Sequence, residues 1–354
     1  PSPELIKFKE TLENFDRIPE AKLPSPFKAT LRNYQESGVN WLAYLKSNQL
    51  GALLADDMGL GKTLQTITIL EGKCLVVAPS SVIPNWVKEI KKFRPNLKVN
   101  VYHGTKRNHQ GDYDVLITSY GLLRQDIESL KVKSFDVVVL DEAQWIKNPD
   151  SKVTRAAYQI NGKFRLALSG TPVENSLDDL WSQFQFLNPG LLGNRQYFKD
   201  QYVKPILEMQ GGASAMLQAK IKPFLLRRMK KEVATELPPK TETVLYAELS
   251  ETERELYDSI LAASQKEVVS KVSAGGSVFE ALEALLRMRQ ACCHPSLIPG
   301  QEAADSAKLR LLMDTLETAL AEGHKALVFS QWTGFLDLMA VSYTHLTLPT
   351  TPYV

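Results

Sequence analysis

Lys62 has neighbours suited to handling phosphate. It lies in LLADDMGLGKTLQTI (Leu53–Ile67), where Gly61-Lys62-Thr63 satisfies the end of the pattern G-x-x-x-x-G-K-[ST]. Asp56 stands where that pattern has its first glycine. The backbone N–H groups of Gly59–Thr63 can curl around a phosphate, helped by the start of a helix. Lys62 would then reach the β- and γ-phosphates of a nucleotide, and Thr63 would offer its hydroxyl to Mg²⁺. Asp56 would occupy a bend that no phosphate needs to approach. The plainer reading is a glycine-rich turn with no ligand.

A second chemical feature is VVVLDEAQ (Val137–Gln144). Two adjacent carboxylates at the end of an apolar run are costly to bury unless they have a task. Asp141 can hold the Mg²⁺ shell through water, and Glu142 can orient the attacking water as general base. A lone Asp-Glu pair is more often a surface turn, so its place after a phosphate loop carries the functional reading.

These residues need a scaffold, and the chain is patterned for one. GALLAD, KCLVVAPS, KVNVYHG, YDVLITSY, FDVVVLDEAQ and FRLALSGTP are short apolar runs, as expected of strands buried on both faces. TLQTITIL and NWVKEIKKF fall between them as helices. The alternation predicts an α/β fold with a doubly wound parallel sheet. The phosphate loop would follow the GALLAD strand and open a helix near Gly61. Strands are expected to give out near Leu177, followed by helices and loops. KLRLLMDTLETALAEG would be a helix leading into another buried strand, KALVFSQ.

The 354 residues are enough for two domains, and a net charge of +2 does not by itself point to nucleic acid. Three cysteines and no signal-peptide pattern suit a reducing cytoplasm. No apolar run approaches the roughly 20 residues of a membrane helix. The chain begins at Pro1, so native residues are expected upstream.

LRNYQESGVNWL, DDMGLGKTLQT, LVVAPSSVIPNW, VLITSY, LDEAQWIKN, LALSGTPVENSLDDLW, FLLRRMKKEVATELPPK, LLRMRQACCHPSL and ALVFSQWTGFLDLM occur in that order. Together, from about Leu31 to Met339, they resemble the Swi/Snf-type helicase-like ATPases of superfamily 2. LDEAQWIKN looks most like bacterial and archaeal members. The resemblance implies a translocase on duplex DNA, with ATP and Mg²⁺ bound between two RecA-like lobes. It implies lobe one at 29–225 after a connecting segment at 1–28. A helical protrusion and linker would span 226–303, and the start of lobe two 304–340.

Residue by residue, the resemblance places Gln35 on adenine, whose N6 and N7 a side-chain amide can pair. An exposed helix residue is the bland alternative. Asp57, Gly59, Gly61, Lys62 and Thr63 would form the nucleotide cradle. Gln144, Ser169 and Thr171 would link the γ-phosphate to lobe movement. Ser80, Ser81, Thr118 and Ser119 would meet DNA phosphates, contacts that carry no base information. Helix capping explains the same hydroxyls equally well. The basic runs Lys88, Lys91, Lys92, Arg94 and Arg227, Arg228, Lys230, Lys231 are either DNA-facing or solvated surfaces.

Cys292, Cys293 and His294 lack the spacing of a zinc site, so the cysteines are expected to pack as small apolar groups. The end of the chain, VSYTHLTLPTTPYV, fits neither helix nor strand of the family. Val341–Thr350 resembles a translated transposon-library adapter and is set aside, with the rest of the 341–354 tail, from fold reasoning. The family's arginines that reach the γ-phosphate from lobe two would then lie outside these residues, leaving this chain able to bind ATP and DNA but deficient in hydrolysis. The parent could remodel protein–DNA complexes or recycle stalled RNA polymerase in the cytoplasm, near the nucleoid if bacterial. Two alternatives stay open: an RNA helicase of the same superfamily, and a non-catalytic ATP-gated DNA-binding module.

Overall fold

The computed structural model describes residues 18–104, 107, 108, 110–170, 176–209, 211–233, 236, 238, 241–272 and 278–346. The chain divides into two compact units, Pro1–Pro239 and Lys240–Val354.

The first unit is built on seven strands: β1 (Ala52–Leu54), β2 (Cys74–Ala78), β3 (Val99–Tyr102), β4 (Val115–Ser119), β5 (Ser134–Leu140), β6 (Asn161–Leu168) and β7 (Leu225–Leu226). Their order is β3-β4-β2-β5-β6-β1-β7, and every pairing is parallel. Val76 of β2 stands between Ile117 of β4 and Val139 of β5, so the centre of the sheet is stacked from β-branched side chains. β2 and β4 are buried along their whole length. That is why their sequences are unbroken apolar runs and show no alternation.

Helices cover the sheet. α1 (Asn33–Ser47) buries Trp41, Leu42 and Leu45, and the Trp41 indole donates to the Pro223 carbonyl at 3.1 Å. α2 (Lys62–Ile69) starts directly after the phosphate loop. α3 (Ile83–Phe93) buries Ile83, Trp86 and Ile90, one stripe at helical spacing, and leaves Lys88, Lys91 and Lys92 exposed. Arg94 does not join that basic face. It turns inward and donates to the carbonyls of Ile67 and Leu70 at the end of α2, where a cation meets the negative end of the helix.

All six expected strands of the first unit form. The sheet has a seventh, β7, well beyond Leu177, where strands were expected to stop. Two residues carry no periodicity of their own; pairing with Leu53 and Leu54 makes them a strand.

The second unit contains α4 (Glu251–Val272), α5 (Val278–Ala291), α6 (Ala307–Ala321) and α7 (Thr333–Leu346). Its core is small: Cys293, Leu309, Met313 and Phe335. The expected strand KALVFSQ does not form. Its backbone is irregular, and Phe329 is 88% exposed. A strand gains its hydrogen bonds only from a neighbouring strand, and the described residues of this unit contain none. α7 continues to Leu346, into the tail set aside from fold reasoning. Cys293 is buried in the small core, and the His294 ring lies 6.4 Å from that of Phe335. Among the described residues no group of three or more His, Cys, Asp or Glu could hold a metal, and no helix is long and apolar enough to cross a membrane.

Candidate nucleotide site

In a parallel sheet every strand delivers its last residues to the same edge. Here that edge receives Asp56–Thr63 from β1, Ser80 and Ser81 from β2, Ser119 from β4, Asp141 and Glu142 from β5, and Ser169 from β6. Ligands of open α/β sheets bind beyond this edge.

The phosphate loop curls at two glycines. Gly59 and Gly61 have φ of 84° and 79°, values an L side chain rarely adopts. A Cβ on Gly61 would also lie 2.5 Å from the Gln35 amide nitrogen. Lys62 Nζ donates to the carbonyls of Asp56 and Asp57 at 2.7 and 3.4 Å. Burial pushes the Lys62 ammonium below its usual value, against the opposing pull of Glu142, Asp56, Asp141 and Asp57. Thr63 is half-buried. Gln35 is not the exposed helix residue of the bland reading. It is buried, accepts from Arg32 N at 3.0 Å and donates to the Leu60 carbonyl of the loop at 3.2 Å.

Asp56 explains why the first glycine is missing. Its side chain is 0% exposed. One carboxylate oxygen accepts from Arg228 N at 3.1 Å and Arg228 Nε at 2.9 Å. The other accepts from Arg228 Nη2 at 2.5 Å and Gln65 Nε2 at 3.3 Å. The neighbouring Asp57 exchanges bonds with the same segment: its N–H donates to the Arg228 carbonyl at 3.0 Å, and its carboxylate accepts from Lys230 N at 2.9 Å. Arg228 is therefore neither a solvated nor a DNA-facing charge. It was legible only as part of a basic run, because its partner lies 172 residues away.

Asp141 is 8% exposed and accepts from the fully buried Trp86 indole at 2.7 Å. Its backbone carbonyl accepts from the Tyr120 hydroxyl at 2.8 Å. Burial raises the Asp141 carboxyl above its ordinary value, partly offset by the Trp86 N–H. Such a group holds its proton more tightly folded than unfolded, so its ionisation costs stability as pH rises through the raised value. Trp86→Phe removes the offsetting donor and increases that cost. A hydrogen bond to a charged group is worth about 1.5–3 kcal/mol. A protonated carboxyl still accepts a neutral bond, so the variant is expected to lose only the difference, about 1 kcal/mol, more stability at pH 8 than near pH 4, beyond a packing loss common to both. Denaturant unfolding at the two pH values checks this, and an equal loss at both would remove the hydrogen bond from the account.

Glu142 has a left-handed backbone, φ 54° and ψ 58°. For a residue other than glycine this costs on the order of 1–3 kcal/mol and tends to mark functional sites. The Glu142 carboxylate accepts from the Gln144 amide at 2.8 Å, and the Gln144 carbonyl oxygen accepts from Ser169 Oγ at 3.4 Å. Ser169, Gln144 and Glu142 thus form one chain of contacts from the end of β6 to the end of β5. Thr171 lies outside the described residues.

Ser80 and Ser81 are exposed in the turn before α3. Ser119 accepts from Leu122 N at 3.4 Å and caps the helix Tyr120–Gln125. Thr118 is buried, and its hydroxyl donates to the Tyr102 carbonyl at 3.1 Å. Trp145, which the motif reading passed over, is 53% exposed and stacked on Tyr120 with centroids 5.5 Å apart. An aromatic residue directly after Asp-Glu-Ala-Gln was its only signal.

Comparison with known proteins agrees with this geometry. The SNF2-related domain family matches residues 34–297. YwqA of Bacillus subtilis, named as a candidate ATP-dependent helicase/translocase, is 37% identical over 92% of this chain and 38% of its own length. The TATA-binding protein-associated factor MOT1 of Saccharomyces cerevisiae is 37% identical over 78% of this chain and 17% of its own. The chain thus spans well under half the length of these relatives. The Sulfolobus solfataricus SWI2/SNF2 ATPase core, solved in complex with dsDNA, superposes with a TM-score of 0.60 at 37% identity, covering 90% of this chain and 71% of that one. With the family matched across most of its length and the phosphate loop and Asp-Glu pair on one sheet edge, the chain belongs to the SNF2-related ATPases.

Proposed function

We propose that this chain forms the nucleotide-binding part of an ATP-dependent translocase on duplex DNA. The observation that carries the reading is the meeting, on one sheet edge, of the Lys62 loop and the Ser169–Gln144–Glu142 contacts. Gln35 would face adenine, and Asp57, Gly59, Gly61, Lys62 and Thr63 would cradle the phosphates. Lys62 would exchange the loop carbonyls for phosphate oxygens. The hydroxyl of Thr63 and the carboxylate of Asp141 are hard oxygen donors of the kind magnesium takes. When bound, the ion would neutralise charge on the phosphates. Glu142 would take the proton of the attacking water, and Gln144 and Ser169 would hold Glu142 in place. Ser80, Ser81 and Ser119 would line the DNA side of the same edge, whereas Thr118, expected there too, is fully buried with its hydroxyl bonded to the Tyr102 carbonyl and would not reach a phosphate. Thr171 is retained as a coupling residue on the resemblance alone. The likeness to YwqA, named a helicase/translocase, supports movement on DNA, and that to MOT1, named a TATA-binding protein-associated factor, supports work on protein–DNA complexes, which the whole protein would remodel; RNA polymerase is a further candidate partner.

One experiment tests the binding half of this reading. Lys62→Ala is expected to abolish Mg-ATP binding by calorimetry, while duplex DNA binding persists and weakens steeply with salt through counterion release. Undiminished ATP affinity in the variant would refute the nucleotide assignment. Strong preference for one duplex sequence at fixed salt, or for RNA over DNA, would refute the assignment of the partner.

A further inference from the structure

Lys230 belongs to a basic run that the reading above leaves without a task. Three observations bring it to the phosphate loop. The segment after β7 is fastened along the loop: Ala55 N donates to the Leu226 carbonyl at 2.7 Å, Asp57 N to the Arg228 carbonyl at 3.0 Å, and Lys230 N to the Asp57 carboxylate at 2.9 Å. The Arg228 guanidinium is locked on buried Asp56 and also donates to Gln65 Oε1 at 2.8 Å. A Cβ on Gly59 would lie 3.2 Å from Lys230 Nζ and 3.3 Å from its Cε, so the ammonium stands on the side of the loop where Gly59 carries no side chain.

We propose that Lys230 is a second cationic contact for the nucleotide's phosphates, carried to the loop by the Arg228–Asp56 pair. The proposal rests on the nucleotide reading of the loop. A nucleoside triphosphate brings several negative charges to a stretch that already holds Asp56 and Asp57. Arg228 takes up the charge of Asp56, and Lys62 reaches the loop from the helix side. Lys230 approaches from the opposite chain segment, on the side of Gly59 where a side chain would otherwise stand. The Lys230 side chain is exposed to solvent, and the backbone N–H bonded to Asp57 fixes where that side chain starts beside the loop. Arg228 makes no phosphate contact in this account and acts as a positioning residue.

The test compares Lys230→Ala, Lys230→Arg and Lys62→Ala by calorimetry with Mg-ATP and with adenosine, and by melting without nucleotide. A charge-assisted contact of this kind corresponds to about a ten- to hundred-fold change in affinity. Lys230→Ala is expected to lose that factor for ATP, keep its affinity for adenosine and melt like the wild type. Lys230→Arg should retain most of the ATP affinity. Wild-type ATP binding by Lys230→Ala, alongside loss in Lys62→Ala, would overturn the inference alone. Equal loss for ATP and adenosine, or a lowered melting point, would make Lys230 structural and overturn it too. Wild-type ATP binding by Lys62→Ala would remove the nucleotide reading beneath it.

Discussion

Glu142→Gln is expected to bind Mg-ATP with near wild-type affinity and hydrolyse it about 10²–10⁴ times more slowly, the range set by loss of a general base. At about 1.4 kcal/mol per tenfold this is roughly 3–5 kcal/mol of transition-state stabilisation. Glutamine keeps the length of the side chain and an oxygen that can still accept from Gln144 Nε2. It carries the same left-handed backbone, so the fold has no new reason to change. What it cannot do is take a proton. The measurement is single-turnover hydrolysis with saturating duplex DNA, on the longest form of the protein that shows DNA-stimulated turnover, beside calorimetric ATP affinity. Wild-type turnover would exclude Glu142 as the base. A parallel loss of affinity would show that the carboxylate serves binding and not proton transfer.

Glu142 owes its position to contacts spread over three strands. Its backbone N–H donates to Asp141 Oδ1 at 3.0 Å, and Asp141 is fixed by Trp86 from α3 and by Tyr120 after β4. Tyr120 in turn carries the exposed Trp145. Glu142 and Ser119 therefore lie at the two ends of a short run of packed groups.

The sheet was largely legible in the sequence, for a local reason. A strand buried on both faces must be apolar throughout, and β2, β4 and most of β5 are written that way. The same rule misled at KALVFSQ, which has a strand's composition but no strand beside it among the described residues of its unit. It was silent at Leu225–Leu226, which become β7 only through β1. The site divides similarly. Lys62, Thr63, Asp141 and Glu142 follow from motifs, because spacing along the chain sets their geometry. The roles of Asp56, Trp86 and Arg228 depend on partners 172, 55 and 172 residues away, and no local pattern predicts such pairs.

The phosphate loop's departure from its usual pattern leads to a further expected result. Asp56→Gly would make the loop conform to G-x-x-x-x-G-K-[ST], yet it should destabilise the protein. Among the described residues the non-glycine ones with positive φ are Gln49, Glu142 and Met209, so the backbone at Asp56 has no need of glycine. The substitution would leave the Arg228 guanidinium, only 13% exposed, without its carboxylate. Breaking a buried ion pair from one side costs about 3–5 kcal/mol. At about 2–4 °C per kcal/mol for a domain of this size, the melting point should fall by roughly 6–20 °C. Arg228→Ala should fall comparably from the other side. Replacing both partners with apolar residues of similar volume should recover much of the loss, because neither charge is then stranded. Thermal or denaturant unfolding of Asp56→Gly, Arg228→Ala and the combination of those two substitutions measures the coupling directly, and the apolar double variant is compared with them. Single-variant losses below about 1 kcal/mol would place the pair in the class of surface salt bridges and contradict the burial of Asp56 as its cause.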